Sequence, residues 1–170
     1  MTSYVALLRA VNVGGTGKLP MADLLRICAG CGFSAVETFI ASGNVVFDSD
    51  GDERAVKTAL AAALERHAGK PIGVLARTGP QMAAVLADNP FADRPPNRTV
   101  AIFLDAPPPR DTLAGVTGRD AEEIALGRRE IYVAYGEGMS QSRLRIAAAA
   151  QGTARNMNTV ARLARMARRD

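Results

Sequence analysis

The sequence predicts an α+β fold, with a ferredoxin-like β-α-β-β-α-β N-terminal half packed against a second, less regular α+β half. Over residues 4–77, strand-like and helix-like hydrophobic patterns follow one another in that order. With 170 residues, of which 48% are hydrophobic, the chain can build one core or two small packed subdomains. We therefore expect a ferredoxin-like subdomain at residues 1–78 and a second subdomain at 79–170, together forming one compact unit.

The first half alternates strands with helices that carry recognisable end signals. The first helix has a proline at its start and Gly32 just past its end, and Ser42-Gly43-Asn44 separates two strands as a hairpin or bulge would. The predicted strands are Tyr4–Val11, Val36–Ala41, Val45–Phe47 and Ile72–Arg77, and the predicted helices are Pro20–Cys31 and Glu53–Ala68.

The second half has shorter elements and more turn residues. Three consecutive prolines follow one predicted strand and end it, and Gly127-Arg128-Arg129 joins the two strands of a predicted hairpin. The predicted strands are Thr99–Leu104, Glu123–Leu126 and Glu130–Tyr135, and the predicted helices are Gln81–Ala87, Ser142–Ala150 and Asn156–Arg168. The pattern is that of a second, degenerate α+β unit, although sequence self-similarity between the halves is too weak to identify a repeat.

Both faces of the first predicted strand are largely apolar. Tyr4 and Leu8 share one face, while Val5 and Leu7 share the other. A lone ferredoxin-like unit covers only one face of its sheet with helices, so we expect the second half to cover the other face. This disfavours RNA recognition on an open sheet, which needs exposed stacking aromatics; Phe47 is the only aromatic residue on the third strand.

Composition predicts a soluble cytoplasmic protein without a cofactor or a bound metal. No apolar run approaches the roughly 20 residues of a membrane span. The two cysteines, in Cys28-Ala-Gly-Cys31, close a helix, whereas a thioredoxin-type pair opens one. Zinc would need two further ligands, and the chain has one histidine, His67, and no other cysteine.

Residues 7–20, LLRAVNVGGTGKLP, raise the question of a phosphate-binding loop. A P-loop needs Ser or Thr after Gly-Lys, but Leu19 follows Gly17-Lys18, and a dinucleotide fingerprint fails because Pro20 replaces its third glycine. Exposed glycine amides and a lysine ahead of a helix can still hold a generic anion. The alternative is a tight turn that needs glycine dihedral angles.

Several separated blocks are spread over nearly the whole chain: YVALLRAVNVGG, the methionine of LPMADLL, FIASGNVVF, EIYVAY and TARNMNTVARL. Together, and in this order, they resemble a bacterial family of unknown function, DUF1697. In two of these blocks Ala10 stands in place of a glycine and Met157 in place of a tryptophan. The resemblance implies an α+β fold and brings no established activity, substrate or catalytic residue.

Three polar segments at element ends form the predicted ligand-binding site. Their side chains and glycine amides are donors that suit phosphate or carboxylate, and an arginine that interrupts an apolar strand, as Arg9 does, needs an acceptor nearby. We expect the segments to meet in one pocket; the alternative is that these residues cap helices and satisfy loop backbone. The predicted residues are Arg9, Asn12, Gly14, Gly15, Lys18, Ser42, Gly43, Asn44, Thr153, Arg155, Asn156 and Asn158.

Positive charge is concentrated at the C-terminal end of the chain. The formal net charge is +4, and residues 141–170 contain seven arginines and one acidic residue. On the last predicted helix, Val160 and Leu163 fall on one side, while Arg162 and Arg165 fall on the other. Such a helix docks through its apolar side and exposes its arginines either to solvent or to an acidic partner such as nucleic acid.

Two function classes follow from these patterns. The first is a non-catalytic module that binds an anionic ligand: a nucleotide, a phosphate-containing metabolite or a nucleic-acid backbone. The second is a small enzyme that uses Lys18, Ser42 or Arg155 on a phosphorylated or carboxylate substrate. The absence of a recognisable nucleophile-base pair favours binding. The sequence carries no signal for the identity of the ligand or for the oligomeric state.

Overall fold

A computed structural model describes residues 1–9, 19–39 and 43–168. These residues contain four α-helices and two antiparallel four-stranded sheets. The chain divides into two compact units: Met1–Ala83 with Leu163–Asp170, here called the first unit, and Ala84–Arg162, the second unit. The predicted boundary between subdomains 1–78 and 79–170 stays a prediction from the sequence. So does the expectation that the two subdomains form one compact unit.

The first unit has the predicted ferredoxin-like order of elements. These are β1 (Thr2–Leu8), α1 (Met21–Gly30), β2 (Ser34–Phe39), β3 (Asn44–Ser49), α2 (Glu53–Ala68) and β4 (Val74–Thr78). Its sheet runs β2-β3-β1-β4 with every neighbouring pair antiparallel. The central strand β1 sets the register, with Val5 opposite Val46 on one side and Arg77 on the other.

Helix α2 begins and ends where the sequence predicted. At its start the Asp52 side chain accepts a hydrogen bond from the Ala55 N–H at 2.8 Å, which satisfies one amide that has no partner within the helix. At its end Gly69 adopts φ 75°, the left-handed conformation that closes helices and favours glycine. Local end signals therefore determine this helix.

The apolar core of the first unit lies between its sheet and its two helices. Tyr4, Ala6 and Leu8 of β1 contribute to it, and Phe47 stacks on Phe33 with ring centroids 4.1 Å apart. On the other face of the same strand, Val5 and Leu7 are also fully buried. The expectation that both faces of β1 are covered is confirmed, and Phe47 is unavailable as a surface for stacking bases.

The second unit contains a second sheet, with helices at its boundaries. Its strands are β5 (Thr99–Phe103), β6 (Glu123–Leu126), β7 (Glu130–Ala134) and β8 (Thr153–Asn156), in the order β6-β7-β5-β8. Helix α3 (Gly79–Ala87) runs into this unit from the first, and α4 (Met157–Met166) runs back. Its apolar core holds Val100 and Ile102 on β5, Leu104 immediately after that strand, and Ile131 and Val133 on β7.

The two sheets share one strand order. If β5 to β8 are set against β1 to β4, the first strand is central in both sheets and the fourth lies beside it at an edge. In the second unit, short 3-10 turns at Thr112–Gly115, Gly136–Gln141 and Ala147–Ala149 occupy the places of the two crossover helices. The prediction of a second, less regular α+β half is confirmed.

One predicted helix is wrong and one strand was missed. Residues Ser142–Ala150 were expected to be helical, but Arg145 instead pairs with Thr117 in an isolated antiparallel bridge, and only Ala147–Ala149 forms a 3-10 turn. The alanines favour a helix, yet tertiary pairing overrides that propensity. The missed strand β8, Thr153–Asn156, lies just before the predicted last helix and overlaps it only at Asn156. Four residues are too few to show a strand period.

None of the helices in the described residues is long and apolar enough to cross a membrane.

Both cysteines should be poorly reactive in the folded protein. Cys28 is fully buried, and burial raises the pKa of its thiol to about 12, so at pH 8 only about one molecule in 10,000 carries a thiolate there. Burial also raises the pKa of Cys31, whose Sγ donates to the Ala59 carbonyl at 3.6 Å. Iodoacetamide at pH 8 should therefore label the native chain far more slowly than the urea-unfolded chain, as followed by intact mass.

In the variants Cys28→Ala and Cys31→Ala only one thiol remains, so the slow labelling of each cysteine by iodoacetamide can be measured separately. Labelling of both cysteines at the unfolded rate, or one equivalent of zinc that the double variant loses, would contradict a structural role.

Candidate functional site

The predicted site residues are distributed over both units. Arg9, Gly43 and Asn44 belong to the first unit, and Thr153, Arg155, Asn156 and Asn158 belong to the second. The remaining five, Asn12, Gly14, Gly15, Lys18 and Ser42, lie outside the described residues. The single pocket that would join the three segments stays a prediction.

Arg9 is the first residue after strand β1, which ends at Leu8. Its backbone N–H donates to the Gly73 carbonyl at 2.9 Å, and its side chain is half-buried. A Cβ on residue 73 would lie 2.8 Å from Arg9 Cδ, so the aliphatic part of the arginine occupies the space that glycine leaves open. Gly73 therefore permits the arginine to lie close against the neighbouring backbone.

Gly43 and Asn44 have structural roles at the start of β3. Gly43 adopts φ 83°, and its carbonyl accepts the Leu8 N–H at 2.9 Å. Asn44 is fully buried and its Nδ2 donates to the Phe39 carbonyl at 3.0 Å, which joins the ends of β2 and β3. These contacts match the alternative in which such residues satisfy loop backbone.

Arg155 is a buried cation on β8, an edge strand of its sheet. It lies opposite Ala101 of β5, and the residue is 7% exposed. Its Nη1 donates to the Thr153 hydroxyl oxygen at 2.7 Å and to the Ala154 carbonyl at 2.9 Å, two neutral acceptors. Burial lowers the pKa of the Arg155 guanidinium to about 10, which still leaves it protonated at neutral pH.

The residues after Arg155 begin helix α4. The Asn156 side-chain oxygen accepts the Thr159 N–H at 2.9 Å, which makes Asn156 an N-cap, while Asn158 is exposed in the first turn. Further along, Val160 and Leu163 are fully buried and Arg162 and Arg165 are exposed. The predicted amphipathic pattern is confirmed, and a partner for the arginine side stays a prediction.

A second buried arginine, Arg77 on β4, is 1% exposed and is not among the residues predicted from the sequence. Its Nη1 donates to the carbonyl of the preceding residue, Ala76, at 3.0 Å, as that of Arg155 does to Ala154. Arg77 lies opposite Val5 on the first central strand, just as Arg155 lies opposite Ala101 on the second. The interruption of an apolar strand by one arginine, the signal used for Arg9, would have identified it.

The second unit also contains a pocket of about 280 Å³ that was not predicted from the sequence. It lies at the open end of the β6-β7 hairpin, where Glu122 immediately precedes β6 and Tyr135 immediately follows β7. Its polar wall includes Asp120, Ser142 and Arg143. The signal was weak because the lining residues come from loops without a motif. Over residues 1–9, 19–39 and 43–168, no group of three His, Cys, Asp or Glu side chains is placed to hold a metal ion.

Replacing the α4 cap should lower stability without any ligand present. Asn156→Ala removes the acceptor of the Thr159 N–H, and loss of such a cap costs about 1 kcal/mol of unfolding free energy. Asn156→Asp retains an oxygen acceptor and should cost much less. Asn158→Ala is the matched control, because Asn158 is exposed in the same turn. Urea unfolding followed by circular dichroism measures all three variants, and equal stability of Asn156→Ala and wild type would contradict the cap.

Comparisons with known proteins bear on family and fold. The family model described as "Protein of unknown function (DUF1697)" matches residues 1–132. The structure is similar to that of the conserved bacterial protein SP0830 from Streptococcus pneumoniae, with a TM-score of 0.80 and 23% identity, over 98% of this chain and 99% of that one. At that identity the likeness shows the fold alone. No curated protein matches the chain. The chain belongs to the DUF1697 family of proteins of unknown function.

Proposed function

We propose that this protein is a non-catalytic module that binds an anionic ligand at Arg155. The ligand class is a nucleotide, another phosphate-containing metabolite or a nucleic-acid backbone. The proposal rests on one observation: Arg155, a residue only 7% exposed, carries a guanidinium that is protonated at neutral pH, one residue before the N-cap of α4.

The chemistry of the guanidinium supports an anion at this position. Its Nη1 donates to a hydroxyl oxygen at 2.7 Å and to a carbonyl at 2.9 Å, and these two hydrogen bonds orient the group. A phosphate or carboxylate matches the planar fork of a guanidinium in a bidentate contact, and such charge-assisted hydrogen bonds are stronger than neutral ones.

The surrounding backbone adds to this preference. The first turn of α4 carries the positive end of a helix dipole, which stabilises negative charge nearby. The Asn156 cap satisfies one of its amides, that of Thr159. Strand β8 lies at an edge of its sheet and pairs with a neighbouring strand on one side only.

The proposed function is binding without catalysis, and the proposed location is the bacterial cytoplasm. No contact among the described residues favours the alternative of a small enzyme that acts on a phosphorylated or carboxylate substrate. The raised thiol pKa values of Cys28 and Cys31 suit reduced, unreactive cysteines, which are usual in a cytoplasm.

Replacement of Arg155 should weaken anion binding selectively. We expect inorganic phosphate and ATP, titrated calorimetrically, to bind Arg155→Gln about 10 to 100-fold more weakly than wild type, since hydrogen bonds to charged groups contribute about 1.5–3 kcal/mol. Arg155→Lys keeps the charge but loses the fork, so its affinity should be intermediate. Arg110→Gln is the matched control, because Arg110 is exposed in the same unit and the substitution removes the same charge.

Two further readouts decide which anion is bound. Native mass spectrometry of the purified protein should reveal a co-purifying phosphate-bearing molecule that Arg155→Gln does not retain. A nucleic-acid ligand would instead give binding of short DNA or RNA that weakens steeply with salt, and Arg155→Gln would reduce the slope by about one unit. Equal affinity of wild type and Arg155→Gln for every probe would contradict the proposal, whereas an equal loss in Arg110→Gln would indicate nonspecific charge attraction.

A further inference from the structure

We infer that the pocket at the open end of the β6-β7 hairpin binds a free amino acid as a zwitterion. The ligand ammonium would lie against Glu122 and Asp120, and the ligand carboxylate against Arg143. This inference does not depend on Arg155, which is absent from the pocket lining.

The pocket is a built feature of the second unit. Glu123 pairs with Ala134 at the last register position of the hairpin, so Glu122 and Tyr135 continue from there into two loops. A bridge between Thr117 and Arg145 joins those loops through backbone hydrogen bonds of 3.0 and 2.8 Å. Gly118 adopts φ 69°, and a Cβ there would meet the Arg143 carbonyl, so the loops approach too closely for any other residue.

The carboxylate of Glu122 is fixed and ionised in this wall. Although the residue is only 5% exposed, the Ser142 hydroxyl donates to Oε2 and the Asp120 N–H donates to Oε1 at 2.6 Å. These hydrogen bonds lower the pKa of Glu122 below its usual value, and the one from Ser142 has the largest effect. An ionised carboxylate has about four acceptor positions, so it can accept an ammonium N–H as well.

Opposite charges in one small pocket suit a ligand that carries both signs. Asp120 and Glu122 contribute negative charge to the lining and Arg143 contributes positive charge, while Gln141 and Tyr135 add polar groups. The volume of about 280 Å³ falls just below the roughly 300–1,000 Å³ of pockets that hold drug-sized ligands. A free amino acid fits both the charge arrangement and the size, whereas a simple anion would meet two carboxylates.

The first test uses the wild-type chain and chemically matched ligands. Each common L-amino acid is titrated calorimetrically, and the tightest binder is compared with its decarboxylated amine and its N-acetyl derivative. Each derivative lacks one of the two charges, so each should bind about 10-fold more weakly or worse. The inference is overturned if no amino acid binds with a dissociation constant of about 10 mM or tighter, or if a derivative binds equally well.

The second test assigns each charge to a residue. Arg143→Gln should weaken the amino acid about 10-fold and leave the decarboxylated amine unchanged, whereas Glu122→Gln should weaken both ligands. Glu137→Gln and Arg145→Gln remove the same charges from nearby exposed side chains outside the pocket lining and should change neither affinity. Arg143 is exposed, so its variant remains informative if Glu122→Gln does not fold. Unchanged amino acid affinity in Arg143→Gln would overturn the inference.

Discussion

A buried guanidinium on the fourth strand of each sheet constrains the register of the whole fold. Arg77 and Arg155 each lie opposite an apolar residue of the central strand, Val5 or Ala101, on the face away from the core cluster of their own unit. A slip of one residue would turn each side chain into that cluster. Because an unpaired charge among apolar side chains costs several kcal/mol, the arginines disfavour a slip of one residue in either direction.

The same constraint shows what the two units have in common. Each sheet places its first strand centrally and its fourth strand beside it at an edge, and each buried arginine donates Nη1 to the carbonyl just before it in the chain. In the first unit, helices α1 and α2 cover the core face; in the second, 3-10 turns and irregular segments do so. Strand order and one buried cation are therefore shared where the crossover segments differ.

The sequence predicted those parts of the fold whose signals are local. Helix α2 was predicted from its alanine-rich helical pattern, and the structure shows an aspartate cap and a closing glycine at the predicted ends. The β6-β7 hairpin was predicted from the turn around Gly127. The helix expected at Ser142–Ala150 was wrong because Arg145 pairs with Thr117, a contact between residues 28 positions apart that no local pattern reveals. The strand β8 was missed for a similar reason, since its identity comes from pairing with β5.

In the candidate site, too, local features could be predicted from the sequence and tertiary placement could not. Asn44 and Asn156 were correctly identified as polar residues at element ends, but their contacts are those of a turn and a cap. Arg155 was identified by residue type, whereas its burial, which underlies the proposed function, depends on tertiary packing. The pocket beside Glu122 has no sequence motif because two loops that are separate in sequence form it. Residue chemistry was therefore predictable, and its placement was not.

A crystal structure of the protein soaked in phosphate tests the central claim most directly. The account predicts a phosphate within hydrogen-bonding distance of the Arg155 guanidinium, which is retained at low phosphate concentration and lost in Arg155→Gln. The opposite result is an Asp or Glu carboxylate paired with that guanidinium and no phosphate beside it at any phosphate concentration. This result would contradict the proposed anion site and leave Arg155 as a determinant of the fold alone.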